Sequence, residues 1–94
     1  MRVEGCSMQP SLNPNDRVLV KRWSPGHPLP LDQVVVIRHP QRPELRLIKR
    51  LMRCENSKFW LEGDNPAEST DSRQLGWFRP AQMIGVVVGR IPAP

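Results

Sequence analysis

An all-β domain with little helix, a small antiparallel barrel or sandwich, is the fold this sequence predicts, on three observations. Runs of β-branched residues alternate with turn-forming residues from end to end. Eleven prolines and six glycines cut the 94 residues into pieces too short for a helical bundle or coiled coil. The longest uncharged apolar stretch, Met83–Gly89, is seven residues, against the about 20 that a membrane-spanning helix needs. No internal repeat divides the chain, so residues 1–94 are expected to form one domain with a modest core, without a signal peptide or membrane anchor.

The elements follow in order. Pro10–Asp16 is a turn cluster, and Arg17–Arg22 (RVLVKR) alternates as a strand should. Trp23–Leu31 carries three prolines and a glycine and is a loop. Gln33–Arg38 (QVVVIR) is a β-branched strand stopped by His39-Pro40. After a short turn at Gln41–Pro43 comes a long strand, Glu44–Arg53 (ELRLIKRLMR), then another, Lys58–Glu62 (KFWLE), across Asn56-Ser57. Gly63–Gly76 is polar and turn-rich, a short helical turn follows Pro80, and Ile84–Arg90 (IGVVVGR) is the last strand.

The net charge is +5, and eleven of the fourteen basic residues are arginine. The charges are scattered singly, which describes a solvated basic surface better than a nucleic-acid footprint. Arginine keeps its proton and lysine can lose it, so a basic amine is available only at Lys21, Lys49 and Lys58. Cys6, Cys54, His27 and His39 show no close metal-ligand spacing; free thiols and no metal or other cofactor are expected.

Glu44–Arg53 carries the most information. With a period of two, Leu45, Leu47, Lys49 and Leu51 share a face, which puts an amine where the core should be. Periodicity leaves two readings open. The lysine snorkels to water near the sheet edge, or it is desolvated, with its pKa lowered, and serves as a general base. Among the serines, Ser7 is singled out as nucleophile by Gly5 before it and Pro10 after it. A Ser–His–Asp triad is the weaker arrangement, because both histidines precede prolines in loops. Ser11 and Ser72 read as plain turn residues, and Trp60 and Trp77 as core.

Four segments, in family order, resemble the signal peptidase I-like Ser–Lys peptidases. Val3–Leu12 (VEGCSMQPSL) is similar to the nucleophile box, Asp32–Arg38 (DQVVVIR) to the Gly-Asp-Val-Val-Val strand with Leu31 in place of the glycine, Leu47–Leu51 (LIKRL) to the lysine box, and Gly63–Gly76 (GDNPAESTDSRQLG) to the Gly-Asp-Asn … Ser-x-Asp-Ser-Arg box. The resemblance implies a signal-peptidase/LexA-like catalytic core. In it Ser7 attacks the scissile carbonyl, Lys49 is the base and Ser69 orients the lysine. Asp71 and Arg73 form a supporting salt bridge, Asp64 and Asn65 scaffold the loop, and the Ser7 N–H receives the oxyanion. Some family members add a serine hydroxyl where this chain has Gly5.

Within the family the small size and the missing anchor are most similar to the soluble branch that matures nickel-type superoxide dismutase. That implies a cytoplasmic enzyme acting on a precursor protein, the nickel superoxide dismutase proenzyme, away from membranes and nucleic acid. Two alternatives stand beside it. A LexA-like self-cleaving repressor fragment would share the first and third boxes but lack the Gly63–Arg73 signature. A small basic β-barrel would bind single strands on Trp23, Trp60 and Trp77.

Overall fold

The computed structural model describes residues 1–94. Five strands form one antiparallel sheet: β1 (Arg17–Arg22), β2 (Val34–Arg38), β3 (Arg46–Glu55), β4 (Lys58–Glu62) and β5 (Met83–Ile91), in the order β1-β5-β2-β3-β4. The all-β expectation holds, and β1 and β4 have the predicted bounds. β3 begins two residues later than alternation indicates, because Leu45 closes a turn through Leu45 N–H to Arg42 O, 2.8 Å. Helix is confined to α1 (Ser72–Leu75) and single 3-10 turns at Pro66–Glu68 and Pro80–Gln82.

Both faces of the sheet are covered. Val35 and Ile37 of β2, Leu51 of β3, Phe59 and Leu61 of β4, Phe78 and Met83 form one buried cluster, with Leu47 packed against it. Val36 and Ile48 face the other way, where Val3, Met8 and Leu12 of the N-terminal segment close over them and Val18. Strands buried on both sides read as continuous apolar runs rather than strict alternation, which is why β2 is VVVIR.

The N-terminal segment is held in place by backbone bonds, Val3 N–H to Asp16 O (2.7 Å) and Asn15 N–H to Val3 O (2.9 Å). Asp16 is 2% exposed. Its carboxylate accepts from the Asn13 and Ala93 N–H groups and from Arg90, and these bonds hold it below the usual range. Residues near both ends of the chain thus meet at one buried charge.

Trp60 and Trp77 depart from expectation. They are half-buried, with ring centroids 5.2 Å apart in an edge-to-face pair, and Arg53 lies over Trp77. Trp60 stays near the surface because its indole N–H reaches Glu62 (2.8 Å), a partner the apolar interior would not supply, and Trp77 packs against it. Cys6 is half-buried rather than a core filler, Cys54 is exposed, and neither is in a disulfide.

β5 crosses β1 closely at Gly85, where a Cβ would stand 2.6 Å from the Lys21 carbonyl oxygen and 2.7 Å from Val20 Cγ1. Both atoms belong to a paired strand and cannot withdraw. Gly85→Ala should therefore cost about 1–3 kcal/mol through overpacking, measured as a lower denaturant midpoint at unchanged m-value.

Candidate active site

The site is assembled from β3, the N-terminal segment and the loop after β4. β4 pairs with β3 only from Arg50 onward, so Arg46–Lys49 have a strand neighbour in β2 but none on the opposite side. A cavity of about 410 Å³ runs along this open edge. Met1–Glu4, Ser7 and Met8 form one wall and Glu44–Lys49 the other. It takes residues from both faces of β3, Leu47 and Lys49 as well as Arg46 and Ile48, as an edge groove must.

Lys49 is 3% exposed, which removes the snorkelling reading. Its Nζ donates to Ser69 Oγ at 3.0 Å. Burial pushes its pKa down, the nearby Asp71 carboxylate pulls it up, Arg73 pushes it down again, and the balance lies below the usual lysine value. Ser7 is half-buried in the same cavity, with Gly5 exposed two residues before it.

The loop after β4 is organised by Asp71, which has no exposed surface. Its Oδ2 accepts from Ser69 Oγ (2.5 Å), Gly63 N–H (2.8 Å) and Arg73 Nη2 (2.7 Å), and its Oδ1 from Arg73 N–H and Nε. Burial alone would push this carboxyl up, but Arg73, Gly63 and Ser69 together hold it well below the usual carboxylate range. Ser69 spends its proton on Asp71, so it meets Lys49 as an acceptor.

Gly63 lets this loop touch the turn that carries Ser7. A Cβ there would lie 2.3 Å from Ser69 Oγ and 2.7 Å from the Ser7 carbonyl oxygen. Asn65 completes the contact: its N–H donates to Ser7 O (2.8 Å) and its Nδ2 to Cys6 O (3.0 Å). Asp64 forms a two-pronged pair with Arg50 at 2.9 and 2.8 Å, and the Arg50 hydrogen bonds hold its carboxyl low. Arg50 also donates to the Asp32 carbonyl (2.8 Å), tying β3 to the entrance of β2.

All eight residues singled out in the sequence, Gly5, Ser7, Lys49, Asp64, Asn65, Ser69, Asp71 and Arg73, thus fall in or beside one region. Sequence reasoning missed three contributors. Arg50 is one, and its pairing with Asp64 has no local signature. Ser72 is 1% exposed, and its hydroxyl accepts from Leu61 N–H (2.8 Å), anchoring the loop to β4 instead of serving a surface turn. Gln74 was legible, since Asp71-x-x-Gln74 is a capping box; Asp71 N–H donates to Gln74 Oε1 at 2.9 Å.

A family model described as Peptidase S24-like matches residues 1–88. Among curated relatives, the mitochondrial inner membrane protease subunit 2 of Danio rerio is 34% identical over 112 residues, covering 95% of this chain and 59% of its own length. The proteins of the same name in Mus musculus (33%, 80% of this chain, 56% of theirs) and Schizosaccharomyces pombe (31%, 79% and 53%) are similar. The chain spans a little over half the length of these relatives. Their names overturn the expectation of a cytoplasmic enzyme, which rested on the apparent lack of an anchor. They place these relatives at the mitochondrial inner membrane, and a chain matching half of each is no guide to an anchor.

Removing the Asp71 carboxylate leaves five donor groups on three residues without their acceptor, two of them on the charged Arg73 guanidinium. Asp71→Ala should cost an amount at the lower end of about 3–5 kcal/mol, because Arg73 keeps 32% of its side chain in water. The folded carboxyl titrates below the ordinary 3.8. Its stabilisation is therefore complete at pH well above that value and lost as acid titrates the folded state. Chemical denaturation at neutral pH and at pH 3 should show the difference between wild type and Asp71→Ala shrinking in acid.

Proposed function

The chain belongs to the Peptidase S24-like family, and from that membership we propose that residues 1–94 form a single serine peptidase domain working through a Ser7–Lys49 dyad on a precursor polypeptide. The observation that carries the reading is the buried Lys49 amine, held below its ordinary pKa, in the same cavity as Ser7. A neutral amine has one lone pair and two N–H groups. Donation to Ser69 uses one N–H and sets the rotation of the amine, leaving the lone pair for the Ser7 proton.

Catalysis then proceeds in two halves. Ser7 Oγ attacks the scissile carbonyl as its proton passes to Lys49, and the Ser7 N–H, which has no acceptor within the chain, meets the developing oxyanion. The Lys49 ammonium returns the proton to the departing amine, giving an acyl-enzyme. A water molecule, deprotonated by Lys49, releases the acyl group and restores Ser7. Burial is the largest influence on Lys49 and favours loss of its proton; Asp71 opposes this, and Arg73 offsets part of the Asp71 pull, which leaves the amine a better base than a free lysine near neutral pH.

The open edge of β3 suits an extended substrate segment, added as a further strand with main-chain bonds to Arg46 and Ile48. The names of the relatives support a protein substrate and give no support to nickel superoxide dismutase. The dismutase proenzyme remains one precursor to assay, on the resemblance to the soluble branch in size and in the Gly-Cys-Ser-Met segment of Val3–Leu12. The Trp60–Trp77 pair, packed on itself and on Arg53, offers no splayed platform for nucleic-acid bases.

Cleavage of precursor peptides, read by product mass, should fall to background in Ser7→Ala and by about 10²–10⁴-fold in Lys49→Met, with both variants folded. Wild-type kcat/KM should rise with pH to a midpoint below 10.5 as Lys49 gives up its proton. Between that midpoint and 10.5 the unfolded chain still holds the proton that the folded state has lost, so stability should also rise with pH there, and Lys49→Met should abolish the rise. Wild-type turnover by Lys49→Met would refute the dyad.

A further inference from the structure

The oxyanion donor of this site is a backbone N–H, and a backbone N–H has no rotamer of its own; its aim is the aim of its peptide plane. The Cys6–Ser7 peptide is trans, so Cys6 C=O and Ser7 N–H point in opposite directions from one rigid unit. Fixing the carbonyl oxygen therefore fixes the donor. Cys6 O accepts from Asn65 Nδ2 (3.0 Å), across 59 residues of chain, and from Gln9 N–H (3.2 Å). The next carbonyl, Ser7 O, accepts from Asn65 N–H (2.8 Å). One residue thus grips the planes on both sides of the nucleophile's Cα.

The position of Asn65 in its own element shows that this use is not incidental. It is the residue before the Pro66–Glu68 turn, where an asparagine side chain ordinarily accepts a bond from the first turn of helix. Here it makes no such bond. Its amide is turned instead to the nucleophile segment. A donor on Cys6 O also polarises the peptide, which strengthens the N–H on the far side.

We propose that Asn65 is a positioning residue that aims the Ser7 N–H at the transition-state oxyanion by clamping the Cys6–Ser7 peptide through its carbonyl. The inference rests on the Ser7–Lys49 reading above and adds to it a group that touches neither substrate nor lysine. Its consequence is differential: the clamp stabilises charge that exists only in the transition state, so its loss lowers kcat and leaves substrate binding unaltered.

Asn65→Asp tests this with the side-chain shape preserved, since a carboxylate cannot donate to Cys6 O and repels it. Removing a whole oxyanion donor costs about 10²–10³-fold in kcat; misaiming one should cost roughly 10-fold or more. The expected result is a kcat lowered by that amount, a KM within twofold and a wild-type count of sites by acyl-enzyme burst; Asn65→Ala, which adds no charge beside Lys49, should in addition leave the pH-rate midpoint unchanged. A burst reduced in proportion to the rate, with normal turnover per competent site, would make Asn65 merely structural and overturn the proposal, as would a wild-type kcat. If Asn65→Asp does not fold, Asn65→Ala is read by the same four quantities. Ser7→Ala and Lys49→Met run alongside: if both cleave like wild type the dyad itself fails, whereas inactive controls beside a fully active Asn65→Asp sink only the clamp.

Discussion

Asp71 carries a negative charge into a place water does not reach, and the arrangement of the loop around it follows from the need to satisfy that charge. A desolvated carboxylate is tolerable only with charged or dipolar partners on each oxygen. Arg73 supplies the countercharge, Gly63 a backbone N–H and Ser69 a hydroxyl. Each bond also sets something else. The Gly63 bond draws the end of β4 against the Ser7 turn, and the Ser69 bond turns that hydroxyl so that it can only accept from Lys49.

The electrostatic consequence is a balance between neighbours. A bare carboxylate near a lysine stabilises the ammonium, which is useless as a base. Paired with Arg73, Asp71 keeps its role as an anchor while much of its field is cancelled. Burial then tips the balance, holding the amine below the ordinary lysine pKa. Lys49, Ser69, Asp71 and Arg73 form a chain in which the outermost charge tunes the innermost group.

The sheet was legible in the sequence because alternation and β-branching are local signals, and β1 and β4 emerge with the bounds those signals give. The face shared by Lys49 and the leucines was legible for the same reason. That the amine is buried rather than snorkelling was not, since it depends on how segments 40 residues apart close over the β3 edge. The polar loop was identifiable by its resemblance to a family box, yet its internal bonding was not, apart from the Asp71–Gln74 capping pattern. Arg50 and Ser72 act through partners on other elements, Asp64 and the Leu61 backbone, and no spacing rule connects them. The tryptophans misled because they lie in or beside apolar runs, which reads as core, while the Glu62 bond keeps Trp60 at the surface.

Asp16 has a consequence of a different kind. It receives Arg90 and the Ala93 N–H near one terminus while its own carbonyl holds Val3 near the other, four residues before Ser7. Fraying of either terminus strips partners from the same buried anion, so the two termini loosen together as one cooperative unit. Residues 90–93 are in this sense a remote brace for the Ser7 turn, and hydrogen exchange at Val3 would register a cut made ninety residues away in sequence and only one side chain away in space.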